Sequence, residues 1–175
     1  MADRTSTTVL VGNPKVASRT RTVGEAVAAR VLCATGGTAG PLDVIELAEL
    51  GPSLFDWSSV TVKAATARVA ASRLLVVATP VYKATYTGLL KSFLDWFGHT
   101  GLAGVTAVPV MVGAGAAHAL AVEVHLRPLL VEIGASVPTR GLFVLEDQLD
   151  SLDDVLDGWA EHAMPYLASA LTTGR

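Results

Sequence analysis

The sequence predicts a doubly wound α/β sheet of five parallel strands in the order 2-1-3-4-5, with helices on both faces. Three observations carry this. Short β-rich or apolar runs alternate with helix-period segments five times over. One run, Arg73-Leu-Leu-Val-Val-Ala78, is continuously apolar, as a strand covered on both faces must be. Right-handed crossovers between such units then favour this strand order.

The elements follow in chain order. Thr8-Val-Leu-Val-Gly12 is a β-rich run ending in glycine, and residues 1–7 are expected to be a flexible lead-in. From Ser18 to Ala34, apolar residues recur at helical spacing, and Ser18 or Thr20 can cap the start. Asp43-Val-Ile-Glu46 reads as a second strand, and Pro52–Ser59 as a loop with turn chemistry. Val60–Ser72 is Ala-rich and helical, and Arg73–Ala78 is the third strand. Thr79–Thr87 is a loop. Gly88–Phe97 is a helix with Leu89, Leu90, Phe93, Leu94 and Phe97 on its apolar side. Thr106–Val112 is a fourth strand, interrupted as a donor by Pro109. Ala116–Ile133 reads as one long helix containing Pro128, and Val137–Leu145 as a fifth strand. Ser151-Leu-Asp-Asp154 opens a last helix with a capping-box-like start, running to about Leu171. No linker, repeat or low-complexity tract divides residues 1–175, so one domain is expected.

Composition narrows the function classes. The chain has 175 residues, a net charge of -3, 51% apolar residues and only 17% charged ones. Disordered chains have less apolar content and more charge. Nucleic-acid binders carry dense positive surface, which this chain lacks. Mean hydropathy is +0.48, but no apolar run reaches the ~18–20 residues of a membrane span. The start, Met-Ala-Asp-Arg-Thr-Ser, has no apolar signal-peptide stretch. A cytoplasmic protein binding neither membrane nor nucleic acid is therefore expected. The lone Cys33 sits among Val31, Leu32 and Ala34 and is expected to be a buried structural thiol. No histidine pair has metal spacing, so no metal is expected.

In an open parallel sheet, ligands bind beyond the carboxyl ends of the strands at the switch point. Here that end carries three loops: residues 12–22, 79–87 and 113–118. The first is suited to an anion. Ser18, Thr20 and Thr22 offer hydroxyls, Arg19 and Arg21 offer charge, and the following helix presents unpaired N–H groups. The bland alternative is that the hydroxyls only cap the helix and the arginines are solvated. Neither a Walker loop nor a dinucleotide fingerprint is present. The other two loops contain no carboxylate, which argues against receiver-domain chemistry, carboxylate hydrolysis and a magnesium site. No G-x-S-x-G elbow is present. A bound cofactor is therefore expected to carry the chemistry.

The block Thr79-Pro-Val-Tyr-Lys-Ala-Thr-Tyr-Thr-Gly-Leu-Leu-Lys-Ser-Phe-Leu-Asp95 resembles the NAD(P)H-dependent FMN reductases of the flavodoxin-like superfamily. It is most like the branch that serves alkanesulfonate monooxygenases. Gly12-Asn-Pro-Lys-Val-Ala-Ser-Arg-Thr20, Gly113-Ala-Gly-Ala-Ala-His118 and Leu126-Arg-Pro-Leu-Leu130 agree with it in order and spacing, over roughly residues 8–150. The resemblance implies a flavodoxin-like fold, with FMN and NADPH (or NADH) as the bound molecules. It implies that Ser18, Arg19 and Thr20 hold the FMN phosphate, with Asn13, in the same stretch, also among the cofactor-binding residues. Pro80, Val81, Tyr82 and Lys83 match the loop along the isoalloxazine edge. Gly113, Ala114 and Gly115 match the loop whose N–H groups face the flavin pyrimidine. Nicotinamide would stack on the exposed flavin face, with no protein acid or base required and hence no catalytic side chain. His118 has two readings, a flavin or nicotinamide contact and a locally bonded helix-start residue. The family commonly has Gly-Gly where this chain has Gly113-Ala114. Relatives often place a Tyr at a bulge in the fourth helix; the matching position is Val124, beside His125.

Three functions compete. The first is a reductase that supplies reduced FMN to a separate flavin-dependent monooxygenase. The second is a self-contained flavoenzyme reducing quinones, azo dyes or chromate. The third is a flavodoxin-type electron carrier without turnover, which the absence of an acidic cluster around Tyr82 and Tyr86 disfavours. The apolar content and the family both imply a homodimer or homotetramer, with the helices holding Phe93–Phe97 and Val122–Leu130 in the contact. Trp57, after strand two, is a weaker candidate for approach to a neighbouring subunit's flavin.

Overall fold

The computed structural model describes residues 7–36 and 42–173. Five parallel strands form one sheet in the order β2-β1-β3-β4-β5. They are β1 (Thr7–Val11), β2 (Asp43–Glu46), β3 (Leu74–Pro80), β4 (Thr106–Gly113) and β5 (Leu142–Leu145). The helices are α1 (Arg19–Ala34), α2 (Val60–Ala70), α3 (Gly88–Leu94), α4 (Arg127–Glu132) and α5 (Leu152–Thr173). β1, β3 and β4 are buried along their whole length, which is why these strands read as apolar runs rather than alternating ones. One apolar cluster joins the sheet to α1 and α5 through Val23, Val27, Val31, Leu156 and Leu167. The other joins it to α2, α3 and α4 through Val62, Val69, Leu90, Phe93 and Leu130. The predicted class and strand order are those found.

Several boundaries differ, each for a local reason. Thr7, expected in the flexible lead-in, pairs with Leu74 as the first residue of β1; the rest of that lead-in lies outside the described residues. The fifth strand begins at Leu142, not Val137. Thr106 bridges Ser136 and Val110 pairs with Leu142, so the β5 side carries two more residues than β4 between these pairs. Ala107 N–H bonds Ser136 O, and Pro109, the next residue facing that side, has no N–H to continue the ladder. The displaced segment is held from the helix side instead. Arg127 donates to Val137 O at 2.8 Å and to Thr139 O, and Glu123 accepts from Gly141 N–H at 2.6 Å.

The predicted long helix from Ala116 to Ile133 is in fact three pieces. A 3-10 turn spans Ala116–His118, a π turn spans Val122–Leu126, and α4 follows. The wide turn lies just before Pro128, whose ring would collide with the carbonyl of Val124 in a regular α-helix. The chain therefore bulges around Val124 and His125.

Cys33 is exposed, contrary to expectation. The buried stripe of α1 runs through Thr20, Val23, Gly24, Val27, Ala28 and Val31, and Cys33 falls off it. In the two helices expected at a subunit contact, Phe93, Leu94, Val122, Leu126 and Leu130 are buried inside this chain. Around α4 the exposed apolar residues are Leu120, Val124 and Val131. Trp57 packs on Trp96 with ring centroids 4.7 Å apart, and Trp96 Nε1 donates to Leu54 O at 3.0 Å. No helix among the described residues is long and apolar enough to cross a membrane, and they hold no group of three or more His, Cys, Asp or Glu placed to hold a metal ion.

Candidate active site

The carboxyl ends of β1, β3 and β4 bring the three sequence-singled loops to one edge of the sheet. The β1 loop is pinned first at Gly12. Its N–H donates to Ala78 O at 2.7 Å. The next bond of a parallel ladder would run from the N–H of residue 80 to Gly12 O, but residue 80 is proline and has none. The Thr87 hydroxyl fills the gap, donating to Gly12 O at 2.6 Å while accepting from Leu90 N–H at 3.1 Å as the N-cap of α3. A Cβ on Gly12 would lie 2.8 Å from Leu90 Cβ, so only glycine allows this approach of β1 to α3.

Beyond Gly12, Asn13 folds the loop with its own side chain. Its Oδ1 accepts from Lys15 N–H at 2.9 Å, and its Nδ2 donates to Thr20 Oγ1 at 3.0 Å. Ala17 takes a left-handed backbone, φ 50°, and its N–H meets the Glu46 carboxylate at 2.9 and 3.2 Å. Ser18 then caps α1, its Oγ accepting from Arg21 N–H at 3.3 Å.

This geometry suits a phosphate monoester. Ser18 and Thr20 are only 6% and 2% exposed. Both hydroxyl oxygens accept from protein N–H groups, and neither O–H has an acceptor among the described residues. Two buried O–H donors are therefore left for an anion, beside the N–H groups of Arg19 and Thr20, which have no intrahelical partner. The first turn of α1 holds no acidic residue. Arg19 is exposed and pairs with Glu146 at 3.0 Å, just past β5. Arg21 pairs with Glu25 at 3.0 Å. That hydrogen bond and charge, with a smaller contribution from Glu46, push the guanidinium above its ordinary range, so it is a fixed cation.

The β3 and β4 loops adjoin each other. Val81 N–H donates to Val112 O at 2.8 Å, and a Cβ on Gly113 would lie 3.3 Å from Val81 Cγ2 and 2.8 Å from Phe143 Cζ. Tyr82 and Thr85 exchange backbone bonds at 2.8 and 3.2 Å across Lys83 and Ala84, both at positive φ (51° and 67°). This is a tight turn of the I′ kind, built here without glycine. It presents Tyr82 and Lys83 to solvent. Ala114 is exposed, and a Cβ on Gly115 would meet nothing within 4 Å, so open space lies over this loop.

Asn13, Ser18, Arg19 and Thr20 thus stand together, as do Pro80, Val81 and Gly113. Lys83 and His118 stand apart; neither makes a side-chain hydrogen bond or ion pair among the described residues, and His118 is held in its 3-10 turn by its N–H to Gly115 O. Sequence reasoning passed over Glu46, Thr87 and Glu146. Each left a signal: Glu46 ends the strand next to β1, Thr87 precedes a helix start, and Glu146 follows a strand end.

Comparison with known proteins agrees with this geometry. Residues 5–150 match the family model for NADPH-dependent FMN reductase. An FMN reductase (NADPH) of Pseudomonas aeruginosa is 31% identical over 132 residues, 71% of each chain. One of Escherichia coli is 41% identical over 75 residues, which is 43% of this chain and 39% of that protein's length. A solved NADH:FMN oxidoreductase (EMOB), in its apo form, superposes with a TM-score of 0.74 at 31% identity, covering 97% of this chain and 87% of the other. The fold, the loop order and the extent of these matches make the chain a member of the NADPH-dependent FMN reductase family.

Proposed function

We propose that this protein transfers hydride from NAD(P)H to FMN and so produces reduced flavin for a separate flavin-dependent monooxygenase. The observation that carries the reading is the pair of buried hydroxyls, Ser18 and Thr20, with free O–H donors at the start of α1. A phosphate monoester satisfies them, and the loops beyond β3 and β4 carry no carboxylate to repel a planar ring that gains negative charge on reduction.

Bound FMN supplies the two-electron acceptor for the reaction. The chain's residues bind and orient. Asn13, Ser18, Arg19 and Thr20 hold the phosphate. Pro80, Val81, Tyr82 and Lys83 border the ring edge, with Tyr82 free to lie along it. Gly113, Ala114 and Gly115 bring backbone N–H groups to the pyrimidine side, where they favour developing negative charge without a titrating group. His118, in the loop beyond β4, is the candidate for a contact with flavin or nicotinamide. Similar proteins carry both coenzyme names, NADPH and NADH, and either nucleotide is accepted in this reading. The reading takes residues 1–175 as one domain, supported by the single sheet that organises the described elements, and places it in the cytoplasm. It includes a homodimer or homotetramer, supported by the exposed Leu120, Val124 and Val131 around α4.

The test is NADPH oxidation by purified protein, with and without added FMN. Oxidation that rises with added FMN in a protein isolated colourless is the expected result. A protein isolated yellow that turns over only with a quinone or dye would replace this reading with the self-contained reductase. No oxidation in either case would refute the enzyme.

A further inference from the structure

Glu46 is a buried carboxylate that the reaction does not use. It ends β2, in register with Val11 at the end of β1, and is 6% exposed. A carboxylate costs free energy to bury unless it is paired and bonded. Its partners are the Ala17 N–H, which meets Oε1 at 2.9 Å and Oε2 at 3.2 Å, and Arg21, whose Nη1 lies 3.7 Å from Oε2.

Its place in the loop explains why it is there. Residues 12–18 must turn sharply from β1 into α1. On the β3 side the turn is tied at Gly12, by Ala78 and Thr87. In the middle it is tied by Asn13 to Lys15 and Thr20. On the β2 side, among the described residues, it is tied at Ala17 by Glu46. Ala17 sits at φ 50°, a backbone region that costs a non-glycine residue free energy. The charge-assisted bond from its N–H holds it there, and with it the direction of the next residues, Ser18 to Thr20.

We infer that Glu46 is a positioning residue for the flavin phosphate. It fixes Ala17 so that the donors of Ser18, Arg19 and Thr20 converge on one anion. This rests on the flavin reading above. It also runs against simple electrostatics, because a carboxylate this close to a phosphate repels it. The two effects have opposite signs. Removing the carboxylate weakens phosphate binding if position dominates, and strengthens it if repulsion dominates.

The experiment compares FMN with riboflavin, which lacks the phosphate, by quenching of flavin fluorescence in wild type, Glu46→Gln and Glu46→Ala. Gln keeps an acceptor for Ala17 N–H and Ala keeps none. The expected result is FMN affinity about tenfold weaker in Glu46→Ala and about two- to threefold weaker in Glu46→Gln, from the loss of a charge-assisted bond. Riboflavin affinity stays at the wild-type value. FMN binding unchanged or tighter in either variant overturns the inference. So does an equal loss for FMN and riboflavin accompanied by a lower Tm, which marks a general structural role. Glu46→Gln settles the matter should Glu46→Ala not fold. Wild-type protein that binds FMN no better than riboflavin overturns the phosphate assignment itself, and the inference with it; wild type that prefers FMN while the variants match it overturns only the role of Glu46.

Discussion

Replacing Thr87 by Val removes one hydroxyl and keeps the side-chain shape. That hydroxyl does two things. It donates to Gly12 O at 2.6 Å and accepts from Leu90 N–H at 3.1 Å, in a residue only 3% exposed. Losing an N-cap costs about 1 kcal/mol. Stranding a buried carbonyl costs about 1–3 kcal/mol, and Pro80 ensures that no ladder N–H can replace the bond. The sum is a loss of about 2–4 kcal/mol in unfolding free energy. Thr87→Ser keeps the hydroxyl and loses one methyl, for about 1 kcal/mol. The assay is denaturant unfolding of the three proteins, with the m-values checked for equality before the midpoints are compared. Because Gly12 opens the loop proposed to hold the phosphate, FMN affinity is expected to fall in Thr87→Val as well. A Thr87→Val protein within about 0.5 kcal/mol of wild type would refute the reasoning. So would a Thr87→Ser protein as unstable as Thr87→Val, since the hydroxyl would then be irrelevant.

Two further predictions follow from the surface. Asp56 is held below its ordinary carboxylate pKa by the Ser58 hydroxyl and N–H, so its contribution to stability is present above about pH 4 and is lost as pH falls through the folded value. Asp56→Ala is accordingly less stable than wild type near neutral pH, and thermal melts of the two converge in acid; a constant gap across the titration would contradict this. Val124→Glu places a charge on the exposed apolar strip around α4, and sedimentation is expected to show a smaller assembly than wild type. An unchanged sedimentation coefficient would remove that strip from the interface.

The sequence by itself determined the sheet. Strand order, the buried character of β3 and the gathering of three loops beyond the carboxyl ends of β1, β3 and β4 follow from periodicity and from the handedness of crossovers, which are local or general rules. The family block from Thr79 to Asp95 was equally legible, because it is a contiguous string. What the tertiary structure alone decided is who completes each loop. Glu46 reaches Ala17 from the end of a neighbouring strand, Thr87 covers a carbonyl that Pro80 leaves open, and Glu146 meets Arg19 across the sheet. These partners lie far apart in the chain, and a hydrogen bond between distant residues leaves no period in the sequence to find. The same holds for α4 and β5. Pro109 and Pro128 were visible as prolines, but the π turn and the displaced strand start depend on Glu123, Arg127 and Gly141 meeting in space. Cys33 shows the limit most simply: its apolar neighbours in sequence suggested burial, while the angle of α1 on the sheet turned that position to solvent.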